Sequence, residues 1–352
     1  MNSNNEQKIY CKDFKTLSSY KDKIVFKKHT HKINHIDLQK NLLMTSGEDD
    51  LIIIIDLAKL RYACQYYDIF NGTSFCKFLE PSTSTRILYY GHKSYKIFMF
   101  DYIKNEIILI INLLKEKLYH LEYNKKSNLL ISTQETNCIL WKITESNIKP
   151  NCNLKNSYYS IINEEKRHII SASKYFNDMD DDDNYKTKLS IYKYDNNWES
   201  NLTKERDVNM TLNYHIIKMN FYKNNDHYFL IIMSGYNLEI IKLDDDSLAF
   251  HLNLMKNKEL KFTCFEPTFT KELIIGYNNG YVELFNPFWD EKKIKTLVDD
   301  KYKKKDLINK FMNDIMNNEP RHEDPVVQVK ISEYYTFYVS ISDEMIIYQF
   351  KE

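Results

Sequence analysis

Strand-like apolar runs recur along this chain at a nearly constant spacing, and that recurrence restricts the fold more than any other feature. The runs are LIIIID (51–56), YKIFMFD (95–101), NCILWK (137–142), KLSIYKY (188–194), YNLEIIK (236–242), GYVELFN (280–286) and MIIYQF (345–350), and their ends fall 45, 41, 52, 48, 44 and 64 residues apart. A helix carrying LIIIID would need polar residues opposite its apolar face, and the run has none. A strand covered on both faces needs none. Each run follows a second one that closes on small residues: LLMTSG, ILYYG, LLISTQ, HIISAS, FLIIMSG, LIIGYNNG and YTFYVSIS. A third lies before that, as in KINHIDL, TSFCKFLEP and LKFTCFEP. Three or four short strands in every ~40–45 residues is the pattern of propeller blades. One four-stranded blade cannot bury both of its faces, whereas blades stacked around an axis can. The expected fold is all-β, a seven-bladed β-propeller spanning residues 1–352 as one domain.

The last unit offers VVQVKIS, YYTFYVSIS and EMIIYQF, one strand short of a blade. KDKIVFKK (21–28) is expected to supply the missing outer strand, which closes the ring and removes a free edge. Five of the six glycines (Gly47, Gly91, Gly235, Gly276, Gly280) sit where the second run closes or in the turn after it, and Gly72 opens a strand. Such positions need positive φ or a close backbone approach. Residues 1–16 form an N-terminal extension, and two units are stretched by insertions. The segment 176–186 is an acidic loop. The segment 299–325 is a helical insertion in which Leu307, Ile308, Phe311, Met312, Ile315 and Met316 mark one face, ended by Pro320 and Pro325.

The chain carries 49 Lys plus Arg against 49 Asp plus Glu, so its net charge is zero. Without a net field it has no general attraction for nucleic acid or an anionic membrane, and neither is expected as a direct ligand. The opening MNSNNEQKIYCKDF has no apolar core, so no signal peptide is expected. The longest aliphatic runs, Leu51–Ile55 and Ile107–Ile111, fall far short of the ~20 residues of a spanning helix. Cys11, Cys64, Cys76, Cys138, Cys152 and Cys264 form no C-x-x-C pair and are expected to be reduced thiols, in cytosol or nucleus. Tyr (28) and Phe (19) favour strands. Lys outnumbers Arg 44 to 5 in a chain rich in Asn, the mark of A+T-biased coding, so a Lys-rich surface carries little functional meaning here.

The stretch LSSYKDKIVFKKHTHKINHIDL (17–38) resembles the WD-repeat proteins, and within them the small WD-repeat subunit shared by COMPASS-type histone methyltransferase complexes and the phosphatase module of the cleavage and polyadenylation machinery. That family opens with a basic-flanked aliphatic-Phe closing strand, then a Lys-Ile-Asn strand ending in Asp-hydrophobic. Ile24–Phe26, Lys32–Asn34, Asp37 and Leu38 match it here. TSGEDDLIIIID continues the match, and CFEPTFTKELIIGYNNGYVELFN (264–286) has the family's Phe-x-Pro and Ile-Gly-x-x-x-Gly spacing. The likeness holds over units one, two and six and thins between about 150 and 235. A strong WD repeat links His, Ser or Thr, Asp and Trp between strands. Unit one offers His29, Ser46 and Asp49 or Asp50 with Ile55 at the Trp position, and unit three offers Trp141 followed by Lys142 where Asp would stand.

The resemblance implies a non-catalytic scaffold in a nuclear chromatin-modifying or transcript 3′-end processing assembly. It would bind larger protein subunits as a single copy, with no cofactor, and the alternative location is the cytoplasm. Two further readings stay open: a scaffold of another machine, such as RNA export or ribosome assembly, and a phosphoinositide-binding propeller. The second resembles proteins with a Phe-Arg-Arg-Gly motif, and this chain has no adjacent arginine pair. No G-x-S-x-G elbow, H-E-x-x-H pair or P-loop occurs, so no catalytic residue is expected.

His29, His31 and His35 have the spacing of one strand face, but His29 is better used as the inter-strand hydrogen bonder than as a metal ligand. Asp180–Asp183 reads as a solvated loop rather than a cation site, because adjacent like charges repel. Lys301, Lys303, Lys304 and Lys305 fit a nuclear import signal or a solvated helix flank, and the face Leu307–Met316 packs on the chain's own wall or docks another subunit. Partner contacts are expected on the rim made by turns, which strands hold rigid: Glu48, Asp49, Asp50, Arg86, Tyr90, His92, Lys93, Asn278 and Asn279.

Overall fold

A computed structural model describes residues 20–26, 28–59, 61–67, 72–79, 85–113, 117–124, 127–134, 137–143, 148–175, 186–194, 202–224, 227–254, 260–267, 273–285, 324–331, 337–341 and 345–350. The N-terminal extension, the acidic insertion up to residue 185 and the helical insertion up to residue 323 lie outside the described residues. So do the basic run 301–305 and the apolar face 307–316. The described residues form 27 strands in seven antiparallel sheets. No helix occurs among them, and none is long and apolar enough to cross a membrane.

The chain divides into two compact units. The larger, His29–Ser234 with Leu238–His251, holds five four-stranded sheets, the last but for its end residues. They follow in chain order. The first is β2 (Ile33–Gln39), β3 (Leu42–Gly47), β4 (Leu51–Asp56) and β5 (Arg61–Tyr67). The second is β6 (Thr73–Phe78), β7 (Arg86–Gly91), β8 (Lys96–Asp101) and β9 (Glu106–Asn112). The third is β10 (His120–Asn124), β11 (Leu129–Thr133), β12 (Asn137–Ile143) and β13 (Ile148–Lys155). The fourth is β14 (Ser157–Asn163), β15 (His168–Tyr175), β16 (Lys186–Lys193) and β17 (Thr203–Leu212), and the fifth is β18 (Lys218–Asn224), β19 (His227–Met233), β20 (Asn237–Lys242) and β21 (Ser247–Asn253).

Between successive sheets lie apolar cores, and strand alternation explains how one strand feeds two of them. On β8, Phe98 and Phe100 join Met44, Ile52 and Ile54 of the first sheet, while Ile97 and Met99 join Leu130 and Trp141 of the third. The third and fourth sheets meet over Leu129, Ile131, Leu140, Ile162 and Ile169, and the fourth and fifth over Ile161, Leu189, Ile191, Leu230 and Ile241. Each such side chain stabilises by ~1.5–3 kcal/mol when fully buried. LIIIID thus forms one central strand covered on both faces: Ile52 and Ile54 point to the second sheet, and Ile53 and Ile55 on the opposite face are equally buried.

The Asp that ends two of the runs has its own cause. Asp56 Oδ1 accepts the amides of Ala58 and Lys59 at 3.1 and 3.2 Å, and Asp101 Oδ1 accepts those of Ile103 and Lys104 at 3.0 Å each. Each carboxylate closes the turn that follows its strand, as Asx turns do. The first strands of the first two sheets, β2 and β6, are tied by Asp37, whose carboxylate accepts the Phe78 amide at 2.9 Å and pairs with Lys77 at 3.4 Å.

The smaller unit, Met1–Lys28, Gly235–Asn237 and Leu252–Glu352, holds two sheets. One is β22 (Phe262–Pro267), β23 (Leu273–Tyr277) and β24 (Val282–Phe285). The other is ordered β1 (Tyr20–Phe26), β27 (Met345–Phe350), β26 (Phe337–Ile341) and β25 (Gln328–Ile331). The N-terminal strand therefore pairs with the C-terminal one, antiparallel, from Tyr20 opposite Phe350 to Phe26 opposite Met345. Lys330 and Glu266 join the two sheets by an ion pair of 2.8 Å.

One pairing pattern recurs in all seven sheets. The expected third-strand run lies antiparallel to the second in every sheet, with Ile55, Phe100, Trp141, Tyr192, Ile241, Leu284 and Tyr348 opposite Leu43, Ile87, Leu130, Ile169, Leu230, Ile274 and Tyr338 in turn. The repeat is a structural unit and not only a compositional one.

Candidate functional site

The turn between β3 and β4 of the first sheet, residues 47–50, is where sequence and geometry converge. His29 arrives from the segment before β2 with its side chain only 3% exposed. Burial lowers its pKa from the ordinary 6.5, outweighing the hydrogen bond and charge of Asp49, so the ring is neutral. Its Nδ1–H then donates to Asp49 Oδ1 at 2.8 Å, and Nε2 accepts the Thr45 hydroxyl at 2.8 Å. Asp49 further accepts the amides of Thr30 at 2.8 Å and Leu51 at 3.3 Å.

The connectivity carboxylate–imidazole–hydroxyl is that of a hydrolase triad, but the arrangement lacks what a triad needs. A nucleophile must be reachable by substrate, and Thr45 has 0% exposure inside the sheet. The three residues pin the turn to the segment that precedes the sheet.

Gly47 makes this possible. A Cβ there would stand 2.6 Å from both Asp49 Oδ1 and His29 Nδ1. Gly47→Ala is therefore expected to cost ~1–3 kcal/mol by prising the pair apart, read as a lower denaturation midpoint with an unchanged m-value.

The hydroxyl on His29 is that of Thr45 and not Ser46, and the acid is Asp49 and not Asp50. Neighbours on a strand point to opposite faces, so Ser46 turns away from His29 when Thr45 faces it. The corresponding position of the third sheet is Ser132, which accepts the Trp141 Nε1–H at 2.7 Å. The network is thus divided between sheets, His–Asp–Thr in one and Trp–Ser in another.

The nominated rim residues separate into several groups. Tyr90 is not on the rim: it is 1% exposed within β7, and its hydroxyl accepts the Leu118 amide at 3.4 Å. Arg86 begins β7 while Gly91 ends it, so Arg86 lies at the opposite edge of the sheet from the turn holding His92 and Lys93. Asp49 is internal, as described. Asn278 and Asn279, in the smaller unit, accept the amides of Lys261 at 2.6 Å and Tyr281 at 3.2 Å and so hold their own turn. What remains outward is Glu48, His92 and Lys93, with Lys93 Nζ reaching Asp50 at 2.8 Å across the two neighbouring turns. Asp50 occupies left-handed backbone at φ 61°, a conformation that Asp tolerates better than most residues.

His31 and His35 do not join His29. His31 Nδ1 meets the Thr30 hydroxyl at 3.0 Å, and His35 is buried beside Cys76 and the Phe75 ring. Among the described residues no three His, Cys, Asp or Glu side chains converge as metal ligands. Cys64, Cys76, Cys138, Cys152 and Cys264 are free thiols, and burial pushes Cys138 up to about 12, so it stays protonated.

Burial also lowers the pKa of His168 and His215 from 6.5. A histidine that binds its proton less well folded than unfolded adds stability that is complete above the unfolded value, about pH 6.5, and is lost as pH falls through the window below it. Thermal stability is accordingly expected to decline below that pH, before the carboxylates titrate, and His29→Asn should flatten part of the slope. A melting-temperature series against pH, run on both proteins, measures it.

Sequence reasoning named Asp37 only as part of a family match, and it missed Thr45, Ser132 and two exposed tyrosines near this end of the second and third sheets, Tyr95 and Tyr119. The last two carry no local signal, since an exposed and a buried Tyr look alike in a strand-rich sequence. Compared with known proteins, the chain matches no family model and no curated protein.

Proposed function

We propose that the seven sheets close into a seven-bladed ring of the WD-repeat kind that catalyses nothing and acts as a rigid platform for protein segments. The pairing of β1 with β27 supports closure, because residues 27–32 alone separate β1 from β2. The recurrence of one antiparallel strand order in the seven sheets supports seven equivalent blades. The observation that carries the platform reading is the fixed turn: Asp49, His29 and Thr45 are buried holding it, which leaves Glu48, His92 and Lys93 as a preset polar rim, with Lys93 anchored on the buried Asp50. Turns on rigid strands are where such folds bind partners, by rim contact or by strand addition.

The sequence resemblance supplies the setting, a nuclear assembly of histone methylation or transcript 3′-end processing. Small-angle scattering tests the ring: a compact chain of this length has a radius of gyration of ~20 Å, and a clearly larger value would exclude closure. Affinity purification from the native cells with mass spectrometry tests the setting. A methyltransferase or phosphatase subunit is the expected companion, and recovery of neither would remove that assignment. The double variant Glu48→Lys, Lys93→Glu should reduce the recovery of that companion at least several-fold.

A further inference from the structure

Five aliphatic side chains are strongly exposed among the described residues, and three of them lie on one hairpin: Ile103 at 69%, Ile107 at 42% and Ile110 at 47%. The hairpin ends in β9, the terminal strand of its sheet, whose outer edge has no neighbour in the sheet order among the described residues. Free edges invite pairing, and chains ordinarily block them with charge or proline. The other outer strands of the larger unit follow that practice to differing degrees. β13 carries Lys149 and Pro150 and β17 carries Lys204, Glu205, Arg206 and Asp207, whereas β5 has a charge only at its first residue, Arg61, and β21 has no Lys, Arg, Asp, Glu or Pro. β9 differs from these two in being aliphatic throughout its middle and exposed at Ile107 and Ile110. β9 reads EIILIIN, with no charge and no proline after Glu106.

That sequence is also symmetric about Leu109. In an antiparallel pairing of two copies with a two-fold axis there, Ile108 faces Ile110 and Ile107 faces Ile111 of the other molecule. Glu106 faces Asn112, whose neighbour within its own sheet is Lys96. No like charges meet, and each acid approaches a lysine. A two-fold interface requires this kind of self-complementarity. One extra residue, Ile108, bulges where the register with β8 shifts between Ile107 and Leu109. Three other outer strands bulge at the same place, so the bulge does not distinguish β9.

We infer that β9 is a contact between two copies of this chain, pairing edge to edge about Leu109 and joining two four-stranded sheets into one of eight. The occupant of the edge is thus a second copy, where the sequence led to an expectation of one. An interface of one strand per molecule is small, so the dimer is weak and depends on concentration.

Light scattering on a concentration series of the full chain tests this, together with cysteine cross-linking. The mass should rise toward twice that of one chain with concentration, and Ile110→Lys should abolish the rise. Leu248→Lys, at an exposed site on β21, should leave it intact. Leu109→Cys should form a disulfide dimer on mild oxidation well above the background of the native thiols, and Leu248→Cys should not. A single-chain mass at every concentration, a dimer that survives Ile110→Lys, or no Leu109→Cys cross-link overturns the inference. If the lysine variant misfolds, the cross-link still decides. Failure here is separable from failure of the platform reading, because Ile110→Lys should recover the same companion proteins as the unaltered chain.

Discussion

A chain that begins at residue 28 is expected to be folded poorly or not at all. It lacks β1, the outer strand of the sheet completed by β25, β26 and β27. Six residue pairs of antiparallel pairing disappear, and the edge of β27 is left open along MIIYQF. The loss is about 5 kcal/mol or more, comparable with the whole stability of a typical domain, and the exposed apolar edge should cause aggregation. Chemical denaturation of the truncated chain beside the full one measures the first effect, and scattering of the folded fraction the second. A synthetic peptide of residues 18–28 added in trans should restore part of the stability. Undiminished stability of the truncated chain would mean that β1 contributes nothing to the fold.

The second large effect is expected at Asp49. Its carboxylate meets the His29 ring and two backbone amides while its side chain is 4% exposed. Asp49→Ala leaves all three donors without their acceptor, and an unmade buried hydrogen bond costs ~1–3 kcal/mol. A total of about 3 kcal/mol is expected, with a fall in Tm of roughly 5 °C. His29→Ala should cost nearly as much. The double variant should cost less than the sum, because either single change already disables the pair. Additive losses would show that His29 and Asp49 act separately.

The strands were legible because their cause is local. LIIIID lacks any polar face, and KIFMFD and NCILWK share its pattern, so buried strands follow from composition and spacing alone. The role of 21–28 was legible for a different reason: a final unit of three strands implies a fourth from elsewhere. The site was read less well. Which of Thr45 and Ser46 faces His29 depends on strand phase, and a sequence supplies two hydroxyls side by side without saying which face is which. Tyr90 and Arg86 are expected on the rim together with His92 and Lys93, yet one is buried in the strand and the other lies at its far end. Proximity in sequence does not distinguish the two ends of a six-residue strand. The exposed isoleucines of β9 were invisible for a related reason. The run Ile107–Ile111 looks like any buried strand, and only the sheet order shows that it is the last strand of its sheet among the described residues.

The pairing of the two ends of the chain is most directly tested by paired cysteines. Val25 lies opposite Ile346 and Ile24 opposite Ile347, and both kinds of antiparallel pair bring Cα atoms within disulfide range. In the two double variants, Val25→Cys with Ile346→Cys and Ile24→Cys with Ile347→Cys, oxidation should give an intramolecular cross-link that migrates faster on a non-reducing gel and returns to normal on reduction. Single-cysteine controls should not shift. Absence of that species from both pairs would show that the first strand lies elsewhere, and the ring and the platform built on it would go with it.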